Sequence, residues 1–322
     1  MGRYVIRRLL YLVLVVLVIT LLTFLIFFVM PPGDPAVAFA GKSPTPDVIK
    51  EVKENFGLDK PLYQQYLTFV DHVFTGDEYG WPGFGKSYDT RSPVNEQLFG
   101  RVGVTLQLGA GAALLWILVG IPLGILSALK RRTFIDRSTM MFALLGVSAP
   151  TFAVGLIAIY LFWQTLGIEE MGTGFVPFGE SPSLWFMHLI LPWCVLAWQY
   201  AAFYARMVRG NLLETLGEDY IRTARAKGLP ERKVIGKHGL RASLTPVVTM
   251  FGMDFSLLLG GAVLTESVFN LPGLGTLIVQ SVARSDIPVV LATTIVASLF
   301  VSVMALVVDI LYAYLDPRVR YS

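Results

Sequence analysis

The chain has 322 residues, of which 54% are hydrophobic and only 15% charged, with a mean hydropathy of +0.62 and a formal net charge of +3. A soluble domain carries about 25% charged residues, so this composition excludes a water-soluble globule, and its apolar richness excludes a disordered chain. One cysteine, Cys194, and three histidines far apart in sequence, His72, His188 and His238, provide no disulfide framework and no cluster with metal-ligand spacing.

A bilayer core about 30 Å thick requires about 20 apolar residues in a helix. Residues 9–30 run for 22 positions without a charge, behind Arg3, Arg7 and Arg8. The run exceeds the roughly 7–15 residues of a signal core, so it reads as an uncleaved first span, although Ala38-Phe39-Ala40 has the form of a cleavage site.

Residues 31–101 are too many for a turn and read as a small extracytoplasmic subdomain. Thr45-Pro46 opens a helix with Val48, Val52 and Phe56 on one face and Gly57 as its stop. A second helix follows Pro61, with Leu62, Tyr66, Phe69 and Val73 on one face and Gly76 at its end. These faces are expected to pack on each other or to cap the mouth of the bundle. The stretch Gly80-Trp81-Pro82-Gly83-Phe84-Gly85-Lys86-Ser87 matches GxxxxGK[ST]. A phosphate-binding loop needs a strand before it and a helix after it. Neither pattern flanks this one, so no nucleotide is expected there.

Further charge-free runs cover 102–129, 138–168, 189–205, 247–265 (interrupted by Asp254) and 289–308. Six spans result, with both chain ends on one side. Basic residues fix that side as cytoplasmic. They are Arg3, Arg7 and Arg8 at the start, and Lys130, Arg131, Arg132 and Arg137 between spans two and three. Arg206, Arg209, Arg222, Arg225, Lys227, Arg232, Lys233, Lys237 and Arg241 lie between spans four and five, with Arg318 and Arg320 in the tail. The modest net charge thus divides into a positive cytoplasmic face and a negative outer one. The organisation is 1–30 for the tail and first span, 31–101 for the outer subdomain, and 102–322 for a five-helix core with a cytoplasmic loop at 206–243.

Gly120-Ile121-Pro122-Leu123-Gly124 joins a GxxxG face to a proline and predicts close helix contact and a bend in the second span. Pro150 and Pro192 are candidate breaks in the third and fourth. In the 206–243 loop, Asp219 can cap a helix over 220–227 stopped by Gly228, and Pro230 can start another reaching His238, before Gly239. Composition leaves two roles open for this loop, topology with anionic-lipid contact or a docking element. Asp254 is an acid at membrane depth, expensive unless paired or wet. It could meet a substrate amine on the pathway, or make a fixed contact across helices or with a partner, which is the simpler reading. Glu266 and Asp286, near the outer surface, read as solvated acids that could also meet a binding protein or entering substrate. Asp309, near the inner end of the last span, reads as a structural contact.

The segment Arg222-Thr223-Ala224-Arg225-Ala226-Lys227-Gly228-Leu229 resembles the cytoplasmic signature loop of ABC importer permeases. With the following Lys237-His238-Gly239-Leu240-Arg241 and Ser243-Leu244-Thr245-Pro246, it is similar to the dipeptide, oligopeptide and nickel branch, in particular to its first permease subunit. Supporting pieces run along nearly the whole chain. They are Arg7-Arg8-Leu9, Pro32-Gly33-Asp34-Pro35, Gly57-Leu58-Asp59-Lys60-Pro61, Pro192, Glu266-Ser267-Val268-Phe269-Asn270-Leu271-Pro272-Gly273-Leu274-Gly275, and Leu315-Asp316-Pro317-Arg318-Val319-Arg320. Arg222-Thr223 in place of Glu-Ala and Arg241 in place of proline depart from the general loop but are common in this branch. Residues 78–83 look like an insertion.

The resemblance implies an all-α membrane protein with six transmembrane helices of the ABC importer permease type, and no catalysis of its own. It implies that Arg222, Thr223, Ala224, Arg225, Lys227, Gly228, Leu229 and Arg232 couple to an ATPase, with the basic residues on acidic rims and Ala224 and Leu229 supplying apolar docking. Asp254 and Glu266 become candidates for the translocation path or gate. The implied partners are a second homologous permease, two ABC ATPase domains that bind ATP and Mg, an extracytoplasmic substrate-binding protein, the lipid bilayer and a short peptide, but no nucleic acid. Within the branch, nickel chelate, glutathione or a small oligosaccharide are the alternative cargoes. A secondary transporter would need inverted repeats and several buried ionisable groups, which the sequence does not display.

Overall fold

The first apolar run forms helix α1 (Gly2–Phe24), which closes in a π-helical turn at Leu25–Val29. It belongs to a computed structural model that describes residues 2–30, 33–41 and 44–315. Pro32, the tail motif from Asp316 to Arg320, and the side chains of Arg3 and Asp309 lie outside the described residues. Their regular structure is helical, apart from two isolated β-bridges, Asp77 to Gly80 and Lys86 to Pro93.

Four helical segments are long and apolar enough to cross a membrane: Ile6–Val29, Val94–Leu129, Pro182–Thr215 and Ile287–Val307. After the short helices α2 (Pro35–Phe39), α3 (Pro46–Phe56) and α4 (Leu62–Thr75), the second of these is α5 (Val94–Leu129). The predicted third span is broken into α6 (Phe134–Ser148) and α7 (Thr151–Ile159), bent by 103°. Pro150 is the cause: it has no N–H to donate, and its ring drives Ala149 to φ −86°, ψ 126°. The pair counts as a fifth crossing if it forms one span. Pro122 and Pro192, in contrast, lie within uninterrupted helices, the latter in α8 (Pro182–Thr215).

The basic 206–243 segment, beyond the end of α8, forms α9 (Asp219–Ala226), α10 (Glu231–Lys233), a π-helical turn (Val234–Gly239) and α11 (Leu240–Ser243). Next come α12 (Thr245–Gly261), α13 (Val263–Val268), α14 (Leu274–Arg284) and α15 (Ile287–Leu315). At 1.5 Å per residue, the 17 residues of α12 reach only ~25 Å.

The described chain separates into two compact units. One comprises the residues up to Leu106 with Leu259–Ser267 and the chain from Leu271 onward; the other comprises Gln107–Leu258 and Val268–Asn270. In the first, Thr45 caps α3 by accepting from the Val48 N–H at 3.4 Å, and Gly57 ends it at φ 59°, as the sequence predicts. Val52, Phe56, Phe69 and Val73 join Phe24 of α1, Phe28 of the π-helical turn and Phe39 of α2 in one cluster. The ring centroids of Phe28 and Phe69 are 5.6 Å apart and those of Phe39 and Phe56 5.0 Å. Leu62 departs from expectation and stays exposed.

The phosphate-loop lookalike folds back on its own neighbours. Gly83 N–H donates to His72 O at 3.0 Å, and Gly85 N–H donates to Asp77 Oδ2 at 2.6 Å. Lys86 pairs with Glu51 at 2.5 Å. A carboxylate of the chain itself thus holds an amide that a phosphate would need, and a turn follows instead of a helix.

In the second unit, glycines set how closely α5 and α8 approach. A Cβ on Gly120 would lie 2.9 Å from Ala201 O, and one on Gly124 would lie 2.7 Å from both Ala205 O and Val208 Cβ. The contact inferred from GxxxG is therefore present. Gly111 is tighter still, since its Cβ would fall 2.0 Å from Cε2 of Trp193, whose indole donates to Gln107 O at 3.0 Å. Gly111→Ala is expected to destabilise the protein by about 1–3 kcal/mol through overpacking, read as a lowered thermal midpoint. An unchanged midpoint would mean that Trp193 swings clear.

Candidate functional site

The loop between α8 and α12 builds a small core of its own. Ile221 and Val234 are fully buried, Ala224 nearly so, and Leu216 and Leu229 pack against them. Helix α9 is amphipathic because Ile221 and Ala224 are three residues apart and share one face. Its N-cap is Glu218, and Asp219 begins the helix instead of capping it. The helix ends at Ala226, followed by Lys227 and then by Gly228 at φ 75°, a conformation that L side chains rarely adopt. The following helix does not stop at Gly239. The π-helical turn carries the chain through it, and Gly239 is buried, where a Cβ would meet Leu216 and Leu212 at 3.4 and 3.5 Å.

Ala224 is turned into the core of the loop, while Leu229 packs against that core and stays partly exposed. Arg225 forms a two-pronged contact with Glu231, with Nη2 to Oε1 at 2.7 Å and Nε to Oε2 at 3.2 Å, tying α9 to α10. That guanidinium also holds the Glu231 carboxyl below its ordinary value. The contact contributes above the ordinary carboxylate range and is lost as pH falls through the depressed value. Arg222 reaches Asp219 only at 3.4 Å and is 73% exposed. Thr223, which donates to Asp219 O at 2.9 Å, is exposed, as are Lys227 and Arg232. Tyr220, 45% exposed on the same helix, is the large apolar side chain that the sequence reading passed over.

Beneath the loop, Asp136 is a node that the sequence does not single out. Arg209 Nε and Nη2 donate to its two oxygens at 2.6 and 2.9 Å, Ser127 Oγ donates to Oδ1 at 2.5 Å, and Arg132 N–H donates to Oδ2 at 2.8 Å. The carboxylate is only 6% exposed.

Further along α8, the fully buried Tyr204 donates its hydroxyl to Asp254 Oδ2 at 2.8 Å. Trp116 stacks on Tyr200 with centroids 4.5 Å apart and meets Phe251 edge-on at 5.4 Å. Asp254 is half-buried beside these rings, one turn from Phe251 on α12.

Glu266 is not the solvated acid that its position implied. It is fully buried, accepts from Thr105 Oγ1 at 2.6 Å, and takes the Gly275 and Thr276 N–H groups at 2.7 and 3.1 Å. Leu274 N–H donates to Thr105 Oγ1 at 2.9 Å, so Glu266 and Thr105 satisfy the otherwise orphaned donors of the first turn of α14. Asp286 is also buried; it accepts a hydrogen bond from Ser87 and precedes α15. Asp254 and Glu266 lie in different units.

Several long apolar helices, with a folded basic loop between two of them, define a multi-pass membrane protein. The family model described as "Binding-protein-dependent transport system inner membrane component" matches residues 120–321, and its N-terminal companion matches residues 1–109. A putative peptide transport system permease protein of Brucella abortus (strain 2308) is 41% identical over 292 residues, 90% of each chain. A probable peptide ABC transporter permease protein of Sinorhizobium fredii is 37% identical, and a glutathione transport system permease protein of Salmonella typhi 40%, both over the full length of each chain. Among solved structures, the MetNI methionine ABC transporter in an inward-facing conformation aligns with a TM-score of 0.52 at 21% identity, covering 68% of this chain and 96% of that one. The chain belongs to the family of inner-membrane components of binding-protein-dependent transport systems. It is a transport component and not an enzyme.

Proposed function

We propose that this chain is one permease half of an ATP-driven importer of short peptides. It pairs with a second, homologous permease to enclose the path. Two ATPase domains, which bind ATP and Mg, sit on the cytoplasmic side, and a substrate-binding protein delivers cargo from outside. The observation that carries the substrate class is full-length similarity to permeases named for peptides and for glutathione, itself a tripeptide. The latter similarity favours glutathione as the second reading.

Six crossings follow if α1, α5, the α6–α7 pair, α8, α12 with α13, and α15 each traverse the bilayer. The basic loops put both termini in the cytoplasm and residues 31–101 outside. The unit from Asp219 to His238 then lies where an ATPase would dock. Its apolar residues close its own core, leaving Tyr220, Arg222, Thr223, Lys227 and Arg232 outward, with Arg225 holding the two helices together. Exposed ion pairs supply only ~0.2–1 kcal/mol each, so Tyr220 is the apolar anchor. Asp254 is a pathway residue in this reading. Glu266 holds the turn that leads into α14.

The test is uptake of labelled di- to pentapeptides and of glutathione by the reconstituted complex, with and without ATP. Equal uptake without ATP would defeat the importer reading, and preference for glutathione would select the second cargo. In the same assay Gly228→Val, which forces a β-branched residue into φ 75°, is expected to leave membrane insertion intact and to reduce ATP-dependent uptake at least tenfold. The strain is on the order of 1–2 kcal/mol, enough to reshape an exposed loop but not to unfold the bundle. Wild-type uptake by this variant would remove the loop from the coupling path.

A further inference from the structure

We infer that Asp254, framed by Tyr204, Tyr200 and Trp116, is a way-station for the ammonium group of the transported peptide. The inference rests on the peptide-importer reading and names the part of the substrate that this chain recognises.

A carboxylate at membrane depth needs a charged partner or water. Among the described residues Asp254 has one hydrogen-bond partner, the Tyr204 hydroxyl, and no basic side chain within ion-pair distance. Tyr204 is fully buried, so its hydroxyl holds Oδ2 in a fixed position while Oδ1 is left as an acceptor. The contrast with Asp136 is instructive. There, both oxygens are taken up by Arg209, Ser127 and the Arg132 N–H, as a purely structural acid requires. Glu266 is likewise closed by three donors. Among these three acids, only Asp254 is half-exposed and only it lacks a second donor.

Its surroundings match one class of ligand. Trp116 and Tyr200 stack 4.5 Å apart, and Phe251 and Phe255 stack at 5.9 Å, so ring faces and edges accompany the carboxylate. Ring faces attract cations. A carboxylate acceptor beside them suits an ammonium ion, which has three donors to place. Short peptides carry such a group at neutral pH. A single charge-assisted contact of this kind binds without trapping, which a transport path requires, whereas a bidentate pair such as Asp136–Arg209 would hold its partner permanently.

The test uses the assembled complex with its binding protein, reconstituted in vesicles. Uptake of a tripeptide with a free α-amine is compared with that of its α-hydroxy analogue, each loaded to saturation on the binding protein. In the wild type the amine form is expected to be transported faster, by roughly tenfold. Asp254→Asn keeps the size and an acceptor for Tyr204, and is expected to bring the ratio close to one by slowing only the amine form. Tyr204→Phe is expected to reduce the ratio partially. If Asp254→Asn slows both substrates equally, or leaves the ratio unchanged, Asp254 is a fixed contact within the bundle or with the partner permease and the inference is overturned. Absence of ATP-dependent uptake of either compound by the wild type would instead remove the importer reading itself.

Discussion

Asp136→Ala is expected to be among the most destabilising single substitutions in the protein. The change removes the carboxylate bound by both Arg209 and Ser127 and leaves a guanidinium, 24% exposed, without its counter-charge. Breaking a buried pair by removing one partner costs on the order of 3–5 kcal/mol, while replacing both with apolar groups of similar size is often close to neutral. The double variant Asp136→Leu/Arg209→Met should therefore recover most of the loss. Thermal unfolding of the purified protein checks both. A loss below about 1 kcal/mol in the single variant would show that water screens the pair. A double variant worse than the single one would show that Arg209 stabilises the protein through contacts other than the one to Asp136.

The second large effect is expected at Glu266. Replacement by alanine strands the Gly275 and Thr276 N–H groups and leaves a space beneath Gly273, whose Cβ, if present, would lie 2.3 Å from the carboxylate. Each buried donor left unsatisfied costs about 1–3 kcal/mol, so the two together cost on the order of 2–6 kcal/mol, expressed as a lower thermal midpoint and faster proteolysis near 271–276. Glu266→Gln retains an oxygen for the two amides and should cost about 1 kcal/mol. Gly273→Ala should approach the alanine variant in severity, because the inserted methyl and the carboxylate cannot occupy the same place. Equal stability of Glu266→Ala and wild type would contradict a capping role for this acid.

Much of the fold is legible in the residues, and the exceptions have identifiable causes. The α3 boundaries follow from Thr45, Pro46 and Gly57, whose effects are local. The approach of α5 to α8 follows from Gly120 and Gly124, since small residues four apart share a helix face. The break at Pro150 was visible as a possibility, but nothing nearby distinguished it from Pro122 and Pro192, which their helices absorb. Gly239 looked like a stop because glycine is the usual residue after a helix. Here the π-helical turn carries the chain through it, in contact with Leu212 and Leu216, a long-range arrangement without a local signature.

The candidate residues were read with similar limits. The composition of the loop marked it as a unit, yet which way Ala224 points depends on Val234, ten residues away. Glu266 resembled a surface acid because two of its partners are backbone amides, which every sequence offers and none displays. Asp254 stood out by its surroundings in the chain. Its partner Tyr204, fifty residues upstream, did not.

Helix α8 gathers these contacts along one axis. Within its 34 residues it carries Trp193 against Gly111, Tyr204 against Asp254, Arg209 against Asp136, and Leu212 beneath Gly239. At 1.5 Å per residue, the span from Trp193 to Leu212 is ~29 Å, and it remains a single helix across Pro192. An α-helix resists compression, because shortening it would strain every hydrogen bond in series. Axial displacement imposed at Leu212 would therefore arrive at Tyr204 nearly undiminished, about 12 Å away. The residue that positions the Asp254 carboxylate and the residue that supports the 216–243 loop are thus fixed to one pushrod, and work done at one end is felt as a change of geometry at the other.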